Sequence, residues 1–152
     1  MATTRSARHV AAPRQDVYRA LLDPDAVERW KVPEGMRSQV HSFDPHEGGA
    51  FRVSLTYQGE AAGKTSGRTD TYHGHFARLV PGETVVEVVE FESDDPALQG
   101  EMTVTTTLTD APGGTEIAIV HEGLPGGVAP ADNELGTRMS LDKLAALLEQ
   151  SS

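Results

Sequence analysis

A chain of 152 residues is long enough to form one domain around a sizeable hydrophobic core, and its 38% hydrophobic and 24% charged residues are ordinary for a globular protein. A formal charge of −10 argues against nucleic acid and anionic membranes as partners, because both call for clustered Lys and Arg. The absence of cysteine excludes disulfides, thiolate nucleophiles and cysteine-bound metal, and no apolar run approaches the roughly 20 residues that cross a bilayer. A small molecule, a protein partner or both remain.

The opening MATTRSARHV carries arginines but no apolar stretch of a secretory signal, so the cytoplasm is the expected compartment. Residues 5–12 read as a first strand stopped by Pro13. From Arg14 to Leu22 the apolar positions Val17, Tyr18, Leu21 and Leu22 recur at helical spacing. Asp23-Pro24 then supplies an N-cap and a first helical residue for a second short helix that ends near Trp30. KVPEGM reads as loop.

From Arg37 the period becomes two. SQVHSF is strand-like, DPHEGG (44–49) is a turn, and AFRVSLTY alternates, with Phe51, Val53, Leu55 and Tyr57 on one face. QGEAAGKTSG is a polar loop. Strand-like runs follow at about 69–80, 84–92, 101–109 and 115–122, joined by turns that fit antiparallel hairpins. GLPGGVAPAD breaks the pattern. Residues 130–150 are then helical, with an apolar stripe of Leu135, Met139, Leu141, Leu144, Leu147 and Leu148. With no crossover helix between strands, a parallel sheet is disfavoured and an α+β layer arrangement is expected.

The segments AAP and VYRALLDPDAVERW near the start, FDPHEGGAFR, YHGHFARLVPGE, MTVTTTLTDAPGGTEIAIVHEG and LGTRMSLDKLAALLE together resemble the START-like helix-grip (SRPBCC) superfamily. Within it the chain is similar to the family named for the C-terminal domain of the heat-shock-protein ATPase activator. The resemblance implies one START-like domain over 1–152. Its fold would be a curved antiparallel sheet of six or seven strands around a long C-terminal helix, with two short helices after the first strand. It also implies an enclosed space between sheet and helix. The superfamily hosts lipid and hormone binders, polyketide cyclases and co-chaperones, so fold alone leaves function open. One departure stands out: members often carry Gly-Trp in the last helix, whereas here Gly136 precedes Thr137.

On that fold the helix-facing side of the sheet is expected to present Phe43, Phe51, Val53, Leu55 and Tyr57, then Tyr72, Gly74 and Phe76. Met102, Val104, Thr106, Leu108, Ile117, Ile119 and His121 follow on later strands. Trp30 and Met36 are expected at the mouth, and Leu135 and Met139 on the helix. Ligand pockets are mostly apolar with a few placed polar groups, and this set has that composition; the same residues would equally serve a filled core.

His121 follows two inward apolar positions at period two. There it either serves a ligand as hydrogen-bond partner or general base, or is satisfied by backbone or by Tyr57. The strand 84–92 is ambiguous in phase. Phe91 favours the face Val85, Glu87, Val89, Phe91, and solvation at a sheet edge is the simpler account of its glutamates. His73 and His75 fall on the face opposite Tyr72, Gly74 and Phe76, where a solvated polar face accounts for them without a metal. Gly74 reads as a place where the sheet bends or leaves room for a ligand. LPGGVAP is either a lid or a plain connector.

No G-x-S-x-G elbow, P-loop, H-E-x-x-H or Rossmann glycine set occurs, and no metal or other cofactor is expected. The leading expectation is a monomeric or homodimeric protein that binds a hydrophobic, aromatic or lipid-like small molecule in an internal cavity. Tyr57, Tyr72 and His121 would be its polar contacts. The alternatives are a cyclase or isomerase using His121 with a buried glutamate, and a co-chaperone-like interaction module.

Overall fold

A computed structural model describes residues 2–32, 35–57, 69–93 and 95–149, with the side chain of Tyr57 and the expected loop QGEAAGKTSG outside the described part. The elements in chain order are β1 (Ala2–Val10), α1 (Arg14–Leu21), α2 (Pro24–Trp30), β2 (Met36–Phe43), β3 (Ala50–Tyr57), β4 (Thr69–Val80), β5 (Thr84–Phe91), β6 (Met102–Ala111), β7 (Gly114–Leu124) and α3 (Pro130–Glu149). The seven strands form one antiparallel sheet in the order β1-β7-β6-β5-β4-β3-β2. Two short helices after β1 and one long helix at the C-terminal end pack on it, which is the helix-grip arrangement.

Local chemistry sets the element ends. Pro13 precedes α1 in extended backbone, where its fixed φ and missing N–H exclude it from a helix interior. Asp23 caps α2 by accepting from the Asp25 N–H, and Pro24 takes the first helical position. Glu28 of α2 accepts from the Val40 N–H at 2.7 Å and so ties the helix to β2. Lys143 of α3 donates to the Val32 carbonyl at 2.8 Å, fixing the chain just beyond α2 against the long helix.

The core fills one end of the sheet–helix space. Phe51 and Phe76 have ring centroids 5.1 Å apart, and Phe43 meets Phe76 edge-on at 5.4 Å. Gly74 sits beneath this cluster: a Cβ there would lie 2.9 Å from Cζ of Phe51 and collide with the Val88 carbonyl. The room expected at Gly74 for a ligand is therefore taken by the Phe51 ring.

Leu141, Leu144 and Ala145 of α3 are buried against the core, with Leu147 and Leu148 partly so. The N-terminal half of α3 behaves differently. Leu135 is 47% exposed, and the residues turned toward the sheet are Asn133, Gly136, Thr137 and Ser140. These are small or polar, so they do not fill the space above β5, β6 and β7. A gap remains.

Candidate functional site

That gap is a cavity of about 350 Å³. Its floor is made from adjacent rungs of the sheet, which follow from the strand register. One rung runs Val85–Thr106–Ile119, the next Glu87–Val104–His121, and a third begins at Val89–Met102. Tyr72 of β4, Leu55 of β3 and Met36 of β2 extend the wall to one side. Leu21 and Trp30 close it from the short helices, and Val128 with α3 closes it from above.

Glu87 and His121 lie on one rung with Val104 between them. Two strand spacings of about 4.8 Å separate their backbones. Both side chains point to the helix side because they share the phase of Val104. Glu87 is 6% exposed, and β5 is the centre of the sheet, so the edge-solvation account of this glutamate does not hold. Its charge is met by Lys31, whose Nζ approaches the two carboxylate oxygens at 3.2 and 3.4 Å. Lys31 sits one residue past α2 and reaches in from the cavity wall with 30% of its side chain exposed. Burial opposes its charge, but Glu87, Tyr72 and the hydrogen bond to Glu87 outweigh it, so its pKa rises and the ammonium persists.

Burial raises the Tyr72 phenol above its ordinary value, with Lys31 opposing the shift, so the phenol stays neutral and able to donate. His121 moves the other way. Burial, aided by the nearby Lys31 charge, lowers its pKa from 6.5 to about 4, which leaves a neutral imidazole at pH 7. Its Nδ1 is buried and has no hydrogen-bond partner among the described residues. The expected backbone partner is absent there. An unmet buried nitrogen is uncommon in native proteins and calls for an explanation. Elsewhere on the wall Asn133 donates to the Thr4 hydroxyl at 2.8 Å, and Trp30 donates to the Ala20 carbonyl at 3.1 Å, so those groups are already engaged.

The family model of the Activator of Hsp90 ATPase homolog 1-like proteins matches residues 11–149. The chain belongs to this family. Its fold is also that of a protein from Chromobacterium violaceum, 37% identical over 97% of this chain and 96% of that one, with a TM-score of 0.86. A protein from Rhodobacter sphaeroides is similar at 24% identity and a TM-score of 0.82, over 99% of this chain and 93% of its own. The family's Aeromonas hydrophila member of known solution structure is 18% identical with a TM-score of 0.74, covering 99% and 94%. Both of these last two speak for the fold alone. No curated protein sequence matches the chain.

Within this family fold, the expected site residues divide into three groups. Trp30, Met36, Leu55, Tyr72, Phe91, Met102, Val104, Thr106, Ile119 and His121 line the cavity. Trp30 is 3% exposed and forms a buried wall rather than a rim. Phe43, Phe51, Val53 and Phe76 do not reach the cavity; they point to the correct side of the sheet but pack into the aromatic core beside it. Leu135 and Met139 are on other faces of α3, the first exposed and the second half-buried. The Tyr57 side chain lies outside the described residues.

Lys31, Asn133 and Ser140 were not foreseen, nor were Asp70 and Asp132, which also line the cavity. Thr137 lines it beside Gly136, and its small polar side chain leaves that end open. On the far face of the sheet His73 and His75 are exposed, and His73 pairs with Glu92, which also accepts two hydrogen bonds from Arg52. Among the described residues no group of three or more His, Asp or Glu is placed to hold a metal, and no helix is long and apolar enough to cross a membrane.

Proposed function

We propose that this protein binds a small, mainly apolar molecule in the cavity between β5–β7 and α3. The observation that carries the reading is a mainly apolar cavity with the neutral His121 imidazole on its wall. An apolar wall gains from contact with an apolar ligand, at about 25 cal/mol per Å² removed from water. The His121 imidazole on that wall offers such a ligand a polar contact. A volume of about 350 Å³ is at the small end of ligand pockets and corresponds to about a dozen non-hydrogen atoms at the roughly 30 Å³ share of a water-sized group. That size suits one or two fused rings better than a full-length lipid.

A panel of lipids, flavonoids and polyketide-like aromatics tests the reading by thermal unfolding. A true ligand at 100 times its Kd adds about 2.7 kcal/mol of stability. If no member of the panel raises the melting temperature, the proposal fails.

Proton-transfer catalysis is the second reading, favoured by the proximity of Lys31, Glu87 and His121 in one cavity. It is the weaker one. A histidine held at about pKa 4 is a poor base at neutral pH, and a lysine kept protonated is not an amine nucleophile. Turnover of a cyclisable or isomerisable ketone that is lost in His121→Ala, with ligand affinity retained, would favour it over simple binding. A docking role as a co-chaperone has less support, since Leu135 is the one large apolar side chain exposed among the described residues.

A further inference from the structure

We infer that the cavity selects a neutral ring compound bearing a hydroxyl group, which bridges the Lys31 ammonium and the His121 imidazole. This rests on the small-molecule reading above and adds the chemistry of the ligand's polar group.

The argument starts from what the two side chains can offer. Lys31 has three N–H donors, and Glu87 draws on them through two contacts of 3.2 and 3.4 Å, both long for a charge-assisted bond. At least one N–H is free to turn toward an occupant of the cavity that Lys31 lines. His121 lines the same cavity, and its ring stays neutral beside that ammonium. A neutral imidazole next to a cation turns its lone pair toward the positive charge. With both side chains on one cavity wall, an occupant between them meets a donor from Lys31 and, in that tautomer, an acceptor from His121. A hydroxyl is the smallest group that accepts from the first and donates to the second.

Other head groups fit less well. An ether or ketone accepts from Lys31 but has no proton for the imidazole. A carboxylate also lacks that proton, and it meets Glu87, Asp70 and Asp132 on the same cavity wall against a single ammonium. Like charges in a partly desolvated site repel strongly. An ammonium is attracted by those same three carboxylates, but it has no lone pair to accept from Lys31 and so cannot bridge the two groups. On the sheet side Val85, Val89, Met102, Val104 and Ile119 present hydrocarbon and thioether surface, which asks for an apolar ring.

The test uses three naphthalenes of one shape: 2-naphthol, 2-methoxynaphthalene and 2-naphthoate, titrated calorimetrically into the full chain at pH 7. The expected result is that 2-naphthol binds at least about tenfold more tightly than the ether, the discrimination carried by about 1.4 kcal/mol. 2-Naphthoate is expected to bind no better than the ether. In His121→Phe the preference for naphthol over ether should fall to within about twofold, while the ether still binds. The double variant Lys31→Met with Glu87→Gln, which leaves no unpaired buried charge, should lose the preference as well. If all three probes bind equally, or the carboxylate binds best, the hydroxyl inference is overturned while the cavity reading stands. If none of the three binds, and the wider panel also fails to raise the melting temperature, the cavity reading falls and takes this inference with it.

Discussion

The buried imidazole of His121 makes a quantitative claim on stability. Its pKa is about 4 in the native protein against 6.5 for the free side chain. Between those values the unfolded chain binds a proton that the native protein does not. Stability is therefore fully present above pH 6.5 and is lost as pH falls toward 4. From the two pKa values, the loss between pH 7 and pH 4.5 is about 2 kcal/mol, several tens-fold in the unfolding constant. Carboxylates titrate in the same range, so the informative quantity is a difference. Urea unfolding of the wild type and of His121→Phe at both pH values isolates it: the variant should lose about 2 kcal/mol less than the wild type on acidification. Equal losses in the two proteins would refute the reasoning, because His121 would then be free to take up its proton in the native state.

Three other substitutions probe the same cavity. Lys31→Met leaves the Glu87 carboxylate buried alone and should cost about 2–3 kcal/mol, less than a fully enclosed pair because Lys31 keeps 30% of its exposure. Adding Glu87→Gln should recover most of that cost in the same denaturant assay. Thr137→Trp should fill part of the cavity, raising stability by about 0.5–2 kcal/mol and abolishing ligand-induced thermal shifts. Gly74→Ala should cost about 1–3 kcal/mol in thermal or urea unfolding, because its methyl group meets Phe51 and the Val88 carbonyl.

The strands were legible because they alternate. AFRVSLTY and the run 69–80 match β3 and β4 residue for residue, and Phe91 identified the inward phase of β5 that carries Glu87. Alternation gives the face, however, and not the position along it. Phe51, Phe76 and His121 all point to the helix side, yet only His121 reaches the cavity, because the aromatic cluster fills the other end. The helix misled for a related reason. A stripe drawn through leucines picks Leu135 and Met139, while the turns that face the gap carry Asn133, Gly136, Thr137 and Ser140. Those residues also recur at three- and four-residue spacing, but a search for apolar side chains passes over them. Lys31 had no periodic signal at all. It lies just beyond α2, and only the three-dimensional path of the chain brings it to Glu87. The central place of β5, which makes Glu87 a buried residue, depends on strand order, and local sequence does not encode that order.

The methionines provide the most direct test of a binding cavity. Met36 and Met102 line it, whereas Met139 of α3 does not. In methyl spectra of the protein labelled at methionine, titration with 2-naphthol should shift the Met36 and Met102 signals along one saturable curve and leave Met139 in place. No saturable shift at Met36 and Met102, or an equal shift at Met139, would contradict the assignment of this space as the ligand site.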